Sequence, residues 1–246
     1  MKLLKFSPGY TYLEMALSLF VLSIMFSAFM TIYVTFSSQN QVAETRTALH
    51  TIQTALDQFL LNKGYLPCPA SQSAAWGSSS FGAASNCAAS APAGTVDYGA
   101  GSTAIRIGTI PFKALNLSQE ITIDSWNNRI AYVVVKSLAT DASTFISTNP
   151  SGAISVVDTN GNTIVSSGGT AYVLISYGPY GKGAYNAAGH QAVACGTNKG
   201  TENCNNDNVF NIAPYNDGQS SNQFDDFLAW KTRAQLIKDN QLAIAP

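Results

Sequence analysis

The sequence predicts an α+β protein. A long N-terminal helix, membrane-spanning in its first half, packs by its second half on a C-terminal antiparallel β-sheet. Three observations carry this prediction. Residues 12–36 form an unbroken apolar run. Apolar residues at helical spacing then continue in polar company as far as Leu60. Beyond residue 130, short β-rich segments alternate with turn residues.

The 246 residues are 46% hydrophobic and only 11% charged, with a formal net charge of −1. Soluble domains average about 25% charged residues, so the chain is poor in charge without lacking core material. The length accommodates one domain or two small ones. The near-neutral balance argues against nucleic acid read through a basic surface. The hydrophobic content argues against disorder along the whole chain.

From Tyr12 to Phe36 the chain reads YLEMALSLFVLSIMFSAFMTIYVTF, with no Pro or Gly and with Glu14 as its one charge. As a helix the run rises about 38 Å at 1.5 Å per residue, more than the roughly 30 Å hydrocarbon core of a bilayer. It exceeds the about 7–15 apolar residues of a cleaved secretory signal, and no small-residue cleavage site closes it. Lys2 and Lys5 would hold the N-terminus in the cytoplasm. A plain signal anchor accounts for all of this except Glu14. A carboxylate at mid-bilayer costs roughly 2.5–3.5 kcal/mol and by default marks function.

The string KFSPGYTYLEMALSLF resembles the N-terminus of type IV pilins and of the related pseudopilins of type II secretion. The resemblance implies a leader over residues 1–9, cut between Gly9 and Tyr10 by a prepilin peptidase on the cytoplasmic side. Tyr10 would then be the new, N-methylated terminus and Glu14 the fifth mature residue. Thr11 is the usual residue type at the second mature position. In such proteins the Glu carboxylate of an incoming subunit pairs with the terminal amine of one already in the fibre. That pairing removes two uncompensated charges from an apolar medium, where a lone charge is strongly penalised. Tyr12 and Leu13 depart conservatively from the commoner Leu-Ile or Leu-Val pair. The lack of Pro between Tyr10 and Asn62 predicts a helix without a kink.

Past Phe36, Val42, Leu49, Ile52, Leu56, Phe59 and Leu60 form an apolar stripe, with Glu44, Arg46, Gln53 and Asp57 off it. The stripe stops at Asn62-Lys63-Gly64, with Pro67 and Pro69 beyond, which reads as a helix C-terminus. A helix over Tyr10–Leu61 would be about 78 Å long. Residues 10–36 are its spanning and assembly half, 37–64 its amphipathic half, and 65–246 the globular domain.

Residues 65–110 are rich in Ala, Ser and Gly, with Asp97 the one charge between Lys63 and Arg106. This composition predicts an exposed loop region, with Trp76 and Phe81 as its anchors to the domain and an adhesive contact as the sharper alternative. Strands are expected at Ile130–Val135, Ala153–Val157, Thr163–Val165 and Ala171–Ser176. Asp158-Thr159-Asn160-Gly161-Asn162 would close a hairpin between the middle two. Asp124-Ser125-Trp126-Asn127-Asn128 resembles the Asp-x-Trp-Gly-Asn motif of major pseudopilins, with Asn127 replacing the Gly. Asn tolerates positive φ better than most residues, and Trp126 reads as a core anchor. Gly178-Pro179-Tyr180-Gly181-Lys182-Gly183 lacks the spacing of a phosphate loop and reads as a turn.

Cys68, Cys87, Cys195 and Cys204 all follow the apolar run. An even count in an exported chain favours disulfides, and locality favours Cys68–Cys87 and Cys195–Cys204 among the three pairings. A zinc site is the rival, but there is no C-x-x-C and only His50 and His190 are at hand. Asp207, Asp217, Asp225 and Asp226 crowd the last forty residues. The resemblance implies calcium in a C-terminal loop, for which Asp217, Asp225 and Asp226 are the candidates. No spacing matches a defined calcium loop, and the competing reading is a solvated acidic face. Phe224, Phe227, Leu228 and Trp230 suggest an amphipathic segment docked on the domain and running on to Lys238.

No enzyme signature is present: there is no G-x-S-x-G, H-E-x-x-H or Rossmann glycine pattern in a fitting context. The resemblance implies a filament subunit, either a type II secretion pseudopilin or a minor type IV pilin. Its partners would be other pilin or pseudopilin subunits, the prepilin peptidase, an inner-membrane assembly platform and membrane lipid. The chain would sit in a bacterial inner membrane with its C-terminal domain in the periplasm, then enter a periplasmic pseudopilus or a surface pilus. The alternative is a non-polymerising, signal-anchored binding protein of adhesin type, in which Glu14 would be replaceable. Loss of Lys2 and Lys5 with the leader leaves a net charge of −3, which disfavours DNA as a partner.

Overall fold

The computed structural model describes residues 11–150, 152–165, 169–191, 193–196, 199–216 and 223–242. The chain divides into two compact units, Met1–Ala43 and Glu44–Pro246. Helix α1, Tyr12–Lys63, belongs to both. It starts two residues later than the sequence predicts, because Thr11 caps it, and ends two later, at Lys63, with Gly64 just beyond. There φ is +79°, a left-handed conformation that glycine adopts without penalty. The Gly64 amide donates to Leu60 O at 2.7 Å.

The larger unit holds two sheets. Strands β1 (Val96–Tyr98), β2 (Ile105–Thr109), β3 (Ala131–Val135), β6 (Thr170–Ser176) and β8 (Phe227–Thr232) form an antiparallel sheet in the order β1-β2-β3-β6-β8. Strands β4 (Ser155–Asp158), β5 (Thr163–Val165) and β7 (Val209–Ile212) form a second sheet in the order β5-β4-β7. There β4 pairs antiparallel with β5 and parallel with β7. The long return from β5 to β7 allows that parallel pair, which an all-antiparallel expectation misses. Short helices α2 (Phe112–Leu115), α3 (Ala142–Ser147) and α4 (Arg233–Asp239) punctuate the connections. Asp158 closes the β4–β5 hairpin by accepting from the Asn160 and Asn162 amides, each at 2.8 Å.

Register shows how the helix meets the large sheet. Arg106, Val134, Tyr172 and Lys231 are lateral partners on one face, and Gly108, Tyr132, Leu174 and Ala229 continue it. The C-terminal half of α1 covers this face, burying Leu49, Ile52, Leu56 and Leu60. Asp57 Oδ2 on the helix accepts from Lys231 Nζ at 2.7 Å, and Gln53 Nε2 donates to Trp230 O at 3.4 Å. On the opposite face Ile105, Ile107, Val133, Val135, Val173 and Ile175 are equally buried, so the central strands are covered on both sides. This is why β3 and β6 read as continuous apolar runs rather than alternating ones.

The reading of 65–110 as loop is corrected at its end. Strands β1 and β2 lie within it, and all five residues of β2 are buried. Gly108 sits where the chain at Pro69 and Ala70 crosses the sheet, and a Cβ there would lie 2.5 Å from Ala70 O. The last strand also corrects an expectation: Phe227–Thr232 joins the sheet beside β6 instead of docking as one amphipathic segment, and only Arg233–Asp239 is helical.

Candidate functional site: the apolar helix and the anchoring of the globular unit

From Thr11 to Phe36 every side chain is exposed, and this stretch is long and apolar enough to cross a membrane. Four of its hydroxyls bond to the helix's own carbonyls. Ser18 Oγ donates to Glu14 O at 2.8 Å and Ser23 Oγ to Phe20 O at 2.7 Å; Thr31 Oγ1 donates to Ser27 O at 3.0 Å and Thr35 Oγ1 to Thr31 O at 2.9 Å. These hydroxyls therefore bring no unsatisfied hydrogen-bonding group into an apolar medium.

Glu14 occupies the first turn of α1. The Thr11 amide donates to Glu14 Oε2 at 2.9 Å and Thr11 Oγ1 donates to the same oxygen at 3.0 Å. In return the Glu14 amide donates to Thr11 Oγ1 at 3.3 Å. This reciprocal exchange is a capping box, which satisfies amides that the helix itself leaves unpaired. The Thr-x-x-Glu spacing announces it in the sequence, a role for Thr11 that the reading above leaves out. Gly9 and Tyr10 lie outside the described residues.

In the globular unit the Asp124 loop ties α1 to the sheet. Asp124 Oδ1 accepts from the Trp126 amide at 3.0 Å and the Asn128 amide at 2.8 Å, while Ser176 Oγ of β6 donates to Oδ2 at 2.7 Å. Burial pushes the Asp124 carboxyl above its usual value, and these donors oppose the shift. Asn127 takes a φ of +68°, the conformation expected of the residue standing where the resembling motif has Gly. Ser125 Oγ donates to Glu44 Oε2 at 3.2 Å, and the Ser125 amide donates to Thr45 Oγ1 at 3.3 Å. Trp126 is half-buried and stacks on Phe227 with ring centroids 5.7 Å apart.

The structure joins Cys68 to Cys87 and Cys195 to Cys204. With no free cysteine left, the zinc reading loses its ligands. Arg106, fully buried on β2, fastens the first disulfide loop to the sheet. Its Nε and Nη2 donate to the two carboxylate oxygens of Asp97 on β1, at 2.6 and 2.8 Å. Nη1 donates to Asn86 O and Nη2 to Ala89 O, both at 2.7 Å. Lys136 Nζ adds a third bond to Asp97, at 2.7 Å, and the Arg106 contact holds the Asp97 carboxyl below its usual range.

Asp225 and Asp226 do not belong to the solvated acidic face that the sequence suggests. Asp225 and Asp226 are 4% and 9% exposed. Asp225 Oδ2 accepts from the Tyr180 amide at 3.0 Å and Asp226 Oδ2 from Asn203 Nδ2 at 2.7 Å. Burial pushes the Asp226 carboxyl up to about 7. Asp217 lies outside the described residues. Among the described residues no three His, Cys, Asp or Glu side chains gather as a metal-holding group. Residues 178–183 form turns, as their composition predicts.

Trp76 departs from its expected role. Phe81 is buried, but Trp76 is 66% exposed and stacks on it from outside.

No family model matches the chain, and comparison with the curated proteins and with the solved structures finds no match.

Proposed function

We propose that this chain is a structural subunit of a pilus-like filament, a type II secretion pseudopilin or a minor type IV pilin. The observation that carries the reading is the fully exposed apolar helix with one carboxylate in its first turn. Such a helix is soluble neither as a monomer in water nor as a surface, so it must be covered by lipid or by other helices. Cleavage between Gly9 and Tyr10 would place a charged amine four residues before Glu14, and methylation of Tyr10 would keep that charge. In a bundle of such helices the amine of one subunit and the carboxylate of the next neutralise each other. Exchange of the Thr11 bonds for that ion pair would accompany assembly. The globular unit, stapled by two disulfides, suits an oxidising compartment outside the cytoplasm.

The capping box also favours a second reading, a signal-anchored binding protein that never polymerises. Thr11 supplies Glu14 with donors inside one chain, so the carboxylate has a structural role without a partner subunit.

Intact-mass and N-terminal peptide measurements on the protein from its native membrane test the proposal. A chain beginning at Tyr10 and carrying one extra methyl group is expected; a retained leader would end the filament reading. Gly9→Ala should block processing. Glu14→Leu should leave processing intact and reduce fibre incorporation, and unchanged incorporation would refute the pairing of Glu14 with a neighbouring amine.

A further inference from the structure

Between Leu61 and Val96, Trp76 is the one large hydrophobic side chain that stands exposed. Its surroundings make it rigid. The indole stacks on Phe81 with centroids 6.1 Å apart and planes 25° apart. Phe81 in turn meets Phe112 edge-on at 5.2 Å and has the Arg129 guanidinium 4.8 Å from its centroid. Arg129 is buried and fixes the chain just before Trp76. Its Nη1 donates to Gln72 O at 2.6 Å, and its Nη2 donates to Ala74 O at 2.9 Å and Ala187 O at 2.8 Å. Beyond the indole, Lys113 Nζ donates to Ser79 O at 3.3 Å. The disulfide Cys68–Cys87 closes the whole segment.

The neighbourhood on the chain is uncharged. Ser73, Ala75, Gly77, Ser79 and Ser80 are exposed, and Ser78 is half-exposed. Ser80 also lines a mainly apolar hollow of about 320 Å³, half of whose lining residues are Ala or Pro and which Ser85, Asn86 and Ser90 also border, a volume at the lower end of small-ligand sites. The chain thus presents a pre-positioned aromatic face beside exposed serine hydroxyls.

We propose that Trp76 is a stacking platform for a neutral carbohydrate, with the Ser78–Ser80 turn supplying hydrogen bonds to its hydroxyls. The C–H bonds on one face of a pyranose are polarised positive by the ring and hydroxyl oxygens. They complement the negative face of an indole. A rigid aromatic loses little freedom on binding, so the stacking energy is retained. The core of a protein–protein interface is a contiguous apolar patch, and here the indole stands alone among hydroxyls. A cationic ligand is disfavoured by Arg129 against Phe81 and by the exposed Lys113 at the Ser79 carbonyl.

The test uses the full chain in detergent micelles, titrated calorimetrically with maltohexaose, cellohexaose and chitohexaose. At least one should bind the wild type and alter its tryptophan emission, because Trp126 and Trp230 are half-buried elsewhere. W76A should weaken that binding about tenfold, the upper end for one aromatic stacking pair, and W76F should weaken it less. Equal melting of the variants and the wild type separates this loss from misfolding. Binding of none of the three, binding that leaves the emission unchanged, or wild-type affinity in W76A would overturn the proposal. Trp76-dependent self-association in place of sugar binding would overturn it too.

Discussion

Asp226→Asn should stabilise the protein at neutral pH and remove part of its pH dependence. The carboxyl is 9% exposed, accepts from Asn203 Nδ2 at 2.7 Å, and lies beside Asp225, with Lys182 as the nearby opposing charge. Burial is the largest cause of its shift from a usual 3.8 to about 7. At 1.36 kcal/mol per pKa unit, that shift corresponds to about 4 kcal/mol. The native state holds its proton to higher pH than the unfolded chain does. The associated stability is therefore complete below about pH 4, falls as pH rises through the interval, and is gone above about pH 7. An Asn side chain cannot ionise; its oxygen can accept from Asn203 while its amide stands where the protonated oxygen was. Wild type and D226N should match near pH 4, and D226N should be more stable by up to about 4 kcal/mol at pH 8. For a domain of this size that is on the order of 10 °C in Tm. Urea denaturation of the full chain in micelles, at unit steps from pH 4 to 8, measures the difference. Asp97, Asp141 and Asp158, whose carboxyls sit below their usual range, contribute the opposite slope in both proteins and cancel. Parallel pH profiles for the two proteins would refute the reasoning.

Arg106→Met should cost about 1–3 kcal/mol, since it leaves Asp97 with Lys136 as its remaining cation and strands the Asn86 and Ala89 carbonyls; a urea-midpoint change worth well under about 1 kcal/mol would show the network to be dispensable. Removing the Cys68–Cys87 bridge, which spans 19 residues, should cost about 3 kcal/mol by loop entropy. Non-reducing peptide mapping should first recover the two local pairs, and free thiols in the exported protein would contradict them. Gly108→Ala should destabilise by about 1–3 kcal/mol, because the added methyl meets the Ala70 carbonyl at 2.5 Å; a neutral result would mean that the Pro69–Ala70 crossing yields freely.

Helix α1 is legible along its length because its signals are local. An apolar run, a stripe at three- and four-residue spacing and a closing Gly all lie within a few turns of the residues they govern. Strands β3 and β6 are legible for the same reason, as short continuous runs of β-rich residues. Strands β1, β2 and β8 are not. Arg106 and Gly108 interrupt β2, and Lys231 interrupts β8, with residues that no isolated strand pattern favours. Each is explained by something remote: a carboxylate and two carbonyls for Arg106, the crossing backbone for Gly108, and Asp57 for Lys231.

The acidic pair shows the same limit at the candidate site. Asp225 and Asp226 read as a solvated face because carboxylates are seldom buried, yet Tyr180 and Asn203 bring donors to them. Trp76 errs in the other direction, read as an anchor when Phe81 already fills that place. The lone carboxylate of the apolar run is visible in the sequence, and so is its Thr-x-x-Glu cap. Periodicity, length and charge exclusion are properties of neighbouring residues, so the chain order alone contains them. Pairing across 174 residues, as between Lys231 and Asp57, depends on which surfaces meet, and only the folded chain brings them together.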